Sequence, residues 1–318
     1  MHAETELIKV RVKSISYEAE NICLVDLRPL TENGLPSCSP GAHIDLHLPN
    51  GLIRSYSLCN AQNEPYRYVI GVNRDPEGRG GSRFIHDALR PGAVLTISAP
   101  RNNFPLVEDA GHSVLIAGGI GITPVWCMIQ HLEGLGRSWE LFYSTRTRGN
   151  TAFLDDLRQF GRRVHLNHTQ EPGGGILDFN DLLSRVPPGT HLYCCGPVAM
   201  LEAFESAAAS LPSELVHVEY FGANKAPATD GGFDVMLSRS GRVVFVPEGK
   251  TILDTLLDEG IDAPHSCGQG VCGTCETRVL EGTPDHRDLV LSKQEQASNK
   301  TMMICCSGCK GDKLILDL

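Results

Sequence analysis

Four cysteines limit what this chain can fold into more tightly than any other feature: Cys267-x4-Cys272-x2-Cys275, then Cys305 after 29 intervening residues. Three thiolates from one tight loop and a fourth from a distant segment form the plant-type spacing for a [2Fe–2S] cluster. Gly268, Gly270 and Gly273 fall inside the loop, where a missing Cβ permits positive φ and a close backbone approach to a bulky inorganic group. Backbone N–H groups brought in this way can bond the sulfurs and tune the centre. Zinc is the competing reading, because Cys272-x2-Cys275 with Cys306-x2-Cys309 has the form of a zinc ribbon. Its pairs stand 30 residues apart, against roughly 15–20 in the usual ribbon, and Cys267 with its glycines goes unused. For the fourth ligand Cys305 is preferred over adjacent Cys306, since Met303-Ile304-Cys305 reads as an apolar strand; Cys306 and Cys309 are then spectators.

The chain has 318 residues, enough for two or three domains with cores of their own. Lys plus Arg number 28 and Asp plus Glu 38, a formal charge of −10, which argues against nucleic acid as the main partner. Six of the 12 cysteines crowd between Cys267 and Cys309, which in a reducing compartment means metal rather than disulfides. Cys23, Cys38, Cys59, Cys127, Cys194 and Cys195 read as small buried hydrophobes. Residues 1–12 alternate charged and apolar side chains without the apolar core of a signal peptide. No run reaches the ~18 apolar residues of a membrane span. The expectation is a cytoplasmic protein with no membrane contact.

Residues 1–107 carry short β-type runs at Ile22–Leu27, His43–Leu48, Arg54–Leu58, Tyr66–Val72 and Val94–Ser98, with one helix at Ser82–Leu89. Turn signals at Pro40-Gly41, Asn50-Gly51 and Pro91-Gly92 punctuate them, so this part is expected to be a small antiparallel barrel. In residues 108–224 the rhythm changes. Strands at Ser113–Ala117, Glu140–Ser144, Val164–Thr169, His191–Cys195 and Val216–Phe221 alternate with helical stretches, two of them opening at Pro124 and after Pro197. That alternation implies a doubly wound parallel sheet. Ala223–Gly232 is polar, small and Pro/Gly-containing, and residues 225–232 are taken as a linker. Residues 233–318 open with a hairpin, Phe233–Ser238 and Arg242–Pro247, turning at Ser240-Gly241; a helix over Thr251–Glu259 and the cysteine loop follow.

Three further motifs carry chemistry. Gly118-Gly119-Ile120-Gly121-Ile122-Thr123-Pro124 joins a strand to a helix, the context of a phosphate-binding turn in which glycines admit a pyrophosphate to orphan N–H groups. It lacks the third Rossmann glycine; Pro124 suits a first helical turn. A turn that serves packing alone is the plainer alternative. Cys194-Cys195-Gly196-Pro197 also ends a strand and opens a helix, placing both turns at the carboxyl edge where open sheets bind ligands; Cys195 would border a nicotinamide. In Arg54-Ser55-Tyr56-Ser57-Leu58, alternation puts Arg54, Tyr56 and Leu58 on one face and the serines on the other. The arginine can fork onto a phosphate, the phenol can stack on an aromatic ring, and a hydroxyl can bond a ring nitrogen. An ordinary half-buried strand is the alternative here. Gly80-Gly81-Ser82 is a second phosphate candidate. His43, His86, His165 and His217 form no metal-spaced pair and read as surface or satisfied core residues.

The order Arg-x-Tyr-Ser, Gly-Gly-Ile-Gly-Ile-Thr-Pro, Cys-Gly-Pro, Cys-x4-Cys-x2-Cys…Cys resembles the phthalate dioxygenase reductase family, within the ferredoxin–NADP⁺ reductase superfamily, over nearly the whole chain. The resemblance implies a multidomain protein: an antiparallel β-barrel flavin domain (1–107), an α/β doubly wound nicotinamide domain (108–224) and an α+β β-grasp ferredoxin domain (233–318). It implies FMN rather than FAD, and NADH, with NADPH left open by Arg146 and by the lack of an acidic residue at that strand end. Carried over by motif, Arg54 and Ser82 would hold the flavin phosphate, Tyr56 would pack on the ring, and Ser57 would face its N5. Phe221 would cover the flavin where nicotinamide enters. Gly119, Gly121, Thr123 and Pro124 would shape the pyrophosphate site, and Ser144 and Arg146 the adenosine ribose site. The metal ligands would be Cys267, Cys272, Cys275 and Cys305. The implied activity moves electrons from NADH through flavin to the cluster and then singly to a terminal oxygenase of Rieske type. Two alternatives stay open: a stand-alone flavin oxidase or ferric reductase, and an iron–sulfur carrier or redox sensor without hydride chemistry.

Overall fold

The computed structural model describes residues 7–78, 80–222 and 226–318. The first half of residues 1–12 and Ala223, Asn224 and Lys225 of the linker candidate lie outside the described residues. Two compact units result, Met1–Glu219 and Tyr220–Leu318.

The first unit begins with β1 (Leu7–Ala19), β2 (Ile22–Pro29), β3 (His43–His47), β4 (Ile53–Ser57), β5 (Tyr68–Asn73), α1 (Gly81–Asp87) and β6 (Val94–Ser98). The sheet order is β4-β3-β6-β1-β2-β5, with every neighbour antiparallel. Its two edges meet through a Leu58–Ile70 bridge and a Cys59 N–H donated to the Val69 carbonyl at 2.9 Å, so the sheet curls into a barrel. Edge closure satisfies backbone groups that an open sheet would leave to solvent. Val10, Val12, Val25, Leu27, Ile44, Leu46, Leu58 and Ile70 fill it. The Asn50-Gly51 signal does mark a hairpin, but over the loop 48–52, with Leu48 N–H bonded to the Leu52 carbonyl at 2.8 Å and Gly51 at φ 81.

The same unit continues with β7 (Ser113–Gly118), α2 (Ile122–Gly134), β8 (Trp139–Thr145), α3 (Leu154–Leu157), β9 (Val164–His168), α4 (Phe179–Ser184), β10 (His191–Cys195), α5 (Val198–Ala208) and β11 (Val216–Glu219). All neighbours in the order β11-β10-β7-β8-β9 are parallel. Succession runs outward from β7 through β8 to β9, then resumes on the other side with β10, so the topological switch lies between β7 and β10. One apolar cluster joins this sheet to the barrel: Ala19, Ile22, Cys59, Val69 and Phe104 pack with Leu115, Trp126, Tyr143 and Tyr193. Shared burial of that kind makes the barrel and the parallel sheet one unit.

The second unit holds β12 (Phe233–Leu237), β13 (Val243–Val246), α6 (Ile252–Asp258), β14 (Glu276–Glu281), β15 (Pro284–Asp285), α7 (Lys293–Ser298), β16 (Thr301–Met303), β17 (Gly308–Cys309) and β18 (Lys313–Leu316). Its main sheet runs β13-β12-β18-β14-β16, with β12 and β18 parallel, and β15 pairs β17 separately. Helix α6 starts in a capping box: Thr251 Oγ1 accepts the Asp254 N–H, and Asp254 accepts the Thr251 N–H. Its buried Ile252, Leu253 and Leu256 pack with Val235, Val246, Leu314 and Leu316.

Two local expectations change. The strand read through Cys305 stops at Met303, because the Cys306 and Ser307 N–H groups both turn back to the Met303 carbonyl. The last parallel strand stops at Glu219, leaving Phe221 beyond it. The described part of the linker candidate is not a free spacer: Ala228 is buried and donates its N–H to the Cys306 carbonyl at 2.8 Å.

Candidate cofactor sites

Arg54, Tyr56 and Ser57 lie on β4, paired with β3. Tyr56 packs against the barrel core and Ser55 bonds Asp45 on the opposite face, so the expected alternation holds. Arg54 crosses Gly81 at the start of α1. A Cβ there would lie 2.7 Å from Arg54 Cγ and 2.8 Å from its Nε, so the missing methyl is what seats the guanidinium. Gly80, at φ 88, aims the chain into α1, and Ser82 Oγ accepts the Asp75 N–H at 3.1 Å while keeping its own proton to donate. Arg54, Gly80, Gly81 and Ser82 thus meet at one place, a cationic fork beside a hydroxyl, which fits a phosphate monoester.

The two turns of the parallel sheet also meet. β7 and β10 are neighbours, so Gly118–Gly121 and Cys195–Pro197 sit side by side at their carboxyl ends. A Cβ on Gly121 would lie 2.2 Å from the Cys195 carbonyl oxygen, and one on Gly118 2.6 Å from Pro197 Cδ. The glycines therefore let backbone pack on backbone. Gly119, at φ 53, has open space where its Cβ would be, as a site for an incoming group requires. Thr123 and Pro124 are buried; Thr123 donates its hydroxyl to the Ile120 carbonyl and packs its methyl on Gly71 of the barrel. They build the turn from behind. The position is the crevice at a topological switch point, where open α/β sheets bind ligands.

Ser144 lies within β8 and accepts from Asn167 at 3.0 Å, with exposed Arg146 just past the strand end. Glu171, from the loop after β9, accepts the Arg148 N–H at 2.5 Å and brings a carboxylate to this end. Sequence distance hid it, because the acid comes from the neighbouring strand's loop. A second missed acid is Glu219. Cys195 is 0% exposed, with its thiol 4.0 Å from Glu219 Oε2. Desolvation raises the Glu219 carboxyl to about 8, and burial followed by that neighbouring carboxylate raises the Cys195 thiol. Phe221 is 37% exposed and falls in the second unit.

The cysteine loop has the features its spacing demanded. Gly268, Gly270 and Gly273 stand at φ 61, 69 and 77. The Cys267 thiol interacts with those of Cys272 and Cys305, and its sulfur accepts the Gln269 N–H at 3.3 Å. Cys275 is buried, and its carbonyl accepts the Ile304 N–H, which ties the distant segment to the loop. Cys309 faces elsewhere: its sulfur accepts from Gly311 and its thiol donates to the Lys313 carbonyl. The zinc-ribbon quartet is thus not assembled, whereas thiols, positive-φ glycines and an N–H aimed at sulfur fit an iron–sulfur cluster.

Among the described residues, no helix is long and apolar enough to cross a membrane. A family model described as a 2Fe-2S iron-sulfur cluster binding domain matches residues 235–310. The chain is 54% identical over 311 residues to phenoxybenzoate dioxygenase subunit beta of Ectopseudomonas oleovorans, covering 98% of this chain and 97% of the relative. It is 50% identical over 317 residues to tetrachlorobenzoquinone reductase of Sphingobium chlorophenolicum, covering 98% of each. Among solved structures, phthalate dioxygenase reductase, described as a modular structure for electron transfer from pyridine nucleotides to [2Fe-2S], superposes with a TM-score of 0.80 at 38% identity over 98% of both chains. Likeness of this extent establishes that the chain belongs to the phthalate dioxygenase reductase family of oxidoreductases.

Proposed function

We infer that this chain is the reductase component of a multicomponent oxygenase, taking electrons from NADH through FMN to its own [2Fe–2S] centre and delivering them singly to a terminal oxygenase of Rieske type. The observation that carries this is the presence, in one chain, of a thiol loop fit for a cluster and a glycine-cleared double turn at the switch point of a parallel sheet. When bound, the nicotinamide supplies a hydride, the flavin takes two electrons and releases them one at a time, and the cluster accepts one.

The chain's own residues bind and orient. Arg54 and Ser82 hold the flavin phosphate, Tyr56 presents its ring to the flavin, and Ser57 offers a hydroxyl toward N5. Gly119 and Gly121 admit the pyrophosphate, with Thr123, Pro124, Gly196 and Pro197 shaping the turns. Ser144 and Arg146 take the ribose region, where Glu171 favours a free 2′-hydroxyl over a 2′-phosphate. Cys195, fully buried, borders the nicotinamide region from within the core rather than from its surface, and the elevated Glu219 beside it keeps a proton there at neutral pH. Cys267, Cys272, Cys275 and Cys305 hold the cluster. The expected compartment is the cytoplasm.

The 50% identity to a tetrachlorobenzoquinone reductase supports a second reading, in which a small quinone rather than a protein takes the electrons. Anaerobic NADH should bleach both the flavin bands and the broad cluster absorption of the purified protein. Supply of those electrons to a Rieske-type oxygenase, measured against a substituted benzoquinone, separates the two acceptors. Acid extraction that yields zinc without iron or sulfide would refute both readings.

A further inference from the structure

Strand β8 alternates, and its buried face carries Trp139, Leu141, Tyr143 and Thr145. Tyr143 is 0% exposed and packs in the apolar cluster with Ala117, Ile122 and Trp126. A phenol so placed needs protein partners for both its donor and its acceptor. The structure supplies both: the Tyr143 oxygen accepts the Ala152 N–H at 3.2 Å, and its proton goes to the Gly119 carbonyl at 3.0 Å. Chemistry fixes the direction, because an amide N–H only donates and a carbonyl only accepts. Burial raises the phenol above its ordinary pKa, so the proton stays in place.

The Ala152 end is tied down. The next N–H, that of Phe153, goes to Glu18 Oε1 of β1 at 2.6 Å, and Phe153 holds φ 56 with its ring stacked on Trp126 of α2, centroids 5.2 Å apart. The Glu20 N–H bonds the Gly149 carbonyl at 2.8 Å. The loop after β8 is thus held between the barrel and α2, and its Ala152 N–H is a fixed donor to the Tyr143 oxygen.

The Gly119 end lies in the glycine turn. Among the described residues no peptide bond is cis. The Gly119–Ile120 peptide is therefore planar and trans, and its C=O and N–H point opposite ways. Tyr143 draws the C=O toward the core, which turns the Ile120 N–H away from it. That N–H belongs to a first helical turn, where no intrahelical carbonyl can accept it. Gly119 and Ile120 are half-buried while Gly121 is buried, so this peptide stands at the outer side of the turn.

We propose that Tyr143 is a positioning residue for the pyrophosphate of the nicotinamide cofactor: by holding the Gly119 carbonyl inward, it keeps the Ile120 N–H turned outward as a donor to a phosphate oxygen. The proposal rests on the reading that the glycine turn is the pyrophosphate site. Phosphate oxygens only accept, so the flipped peptide, with its carbonyl outward, would repel the group that this one binds. Gly119, at φ 53 and without a Cβ, offers little resistance to such a flip. The hydroxyl supplies the restraint that the residue type does not.

The test uses the full-length protein with its FMN and cluster. Tyr143→Phe deletes the hydroxyl and keeps the ring in the core. The KM for NADH and the Kd for ADP should each rise about tenfold, the low end for a hydrogen bond to a charged group. Adenosine, with the same base and ribose and no phosphate, should bind as it does to the parent. The limiting rate constant for flavin reduction at saturating NADH should hold too, because pyrophosphate contacts are the same in ground and transition states. In protein ¹⁵N-labelled at Gly and Ile, ADP should move the amide resonances of Gly119, Ile120 and Gly121, and in Tyr143→Phe the Ile120 response should shrink most. Equal losses for ADP and adenosine, unchanged ADP binding, or a lower limiting rate with the KM kept would overturn the role of Tyr143. Should Tyr143→Phe not fold, an Ile120 amide that ignores ADP in the parent while Gly119 or Gly121 responds overturns it as well. ADP that moves none of these amides would instead sink the reading of the turn.

Discussion

Substituting Gly121 by Ala tests whether the paired turns at the switch point form the nicotinamide site. The new methyl would sit 2.2 Å from the Cys195 carbonyl oxygen and 2.5 Å from its carbon, both backbone atoms with no rotamer to change. One turn must retreat by about 1 Å to restore ordinary contact. Overpacking of this kind costs about 1–3 kcal/mol, which for a unit of this size lowers Tm by about 2–12 °C. The larger effect is on catalysis, since a displacement of about 1 Å in a positioning element can cost as much as 100-fold in rate. Stopped-flow reduction of the flavin by NADH should therefore slow by one to two orders of magnitude. Dithionite-driven electron output, which bypasses the nicotinamide, should stay as in the parent. Gly111→Ala is the control: nothing lies within 4 Å of its Cβ position, and no change in Tm or rate is expected. Parental Tm and parental NADH kinetics in Gly121→Ala would refute the assignment of these turns.

Cys272→Ser should keep flavin reduction by NADH and lose electron output to cytochrome c; Cys309→Ser should keep both, and a silent Cys272→Ser would count against the relay. Thr251→Ala removes the capping hydroxyl of α6 and should cost about 1 kcal/mol, read as the denaturant midpoint of the second unit's transition. The raised carboxyl of Glu219 gives a pH dependence of known sign. An unfolded chain releases this proton near the ordinary value of 4.5, whereas the folded one holds it until about 8. Stability should therefore fall as pH rises from 4.5 to 8 and level off above. Glu219→Gln should flatten that part of a Tm-versus-pH curve; an unchanged slope would show that the carboxyl is not desolvated.

The sequence was most legible where chemistry forces residue types close together in the chain. The cysteine loop with its glycines, the glycine turn before α2 and the Arg-x-Tyr-Ser strand were all placed correctly on their elements. Elements with mixed faces were harder. β1 escaped notice although Val10 and Val12 are fully buried, because Lys9, Arg11 and Lys13 alternate with them and bulges near Ser14 and Ala19 break the period. β14 hid behind the cysteine loop, with only Thr277 and Val279 turned inward. Polar residues drawn together across strands were the least legible. Glu219 meets Cys195 only through the β10–β11 ladder, and Glu171 reaches the end of β8 from the loop after β9. His43 was read as a satisfied or surface histidine; the structure buries it with Nε2 unbonded, beside Arg101, a cross-strand neighbour more than fifty residues away in the chain.

The place of β18 in the third sheet bears on how the iron–sulfur domain is made. It lies between β12 and β14, parallel to the first and antiparallel to the second. During synthesis, the β12–β13 and β14–β16 ribbons emerge earlier, each with an open edge and nothing to join them. The four cysteines proposed as cluster ligands, through Cys305, all precede Lys313–Leu316 in the chain, so the strand that zips the ribbons together is made after them.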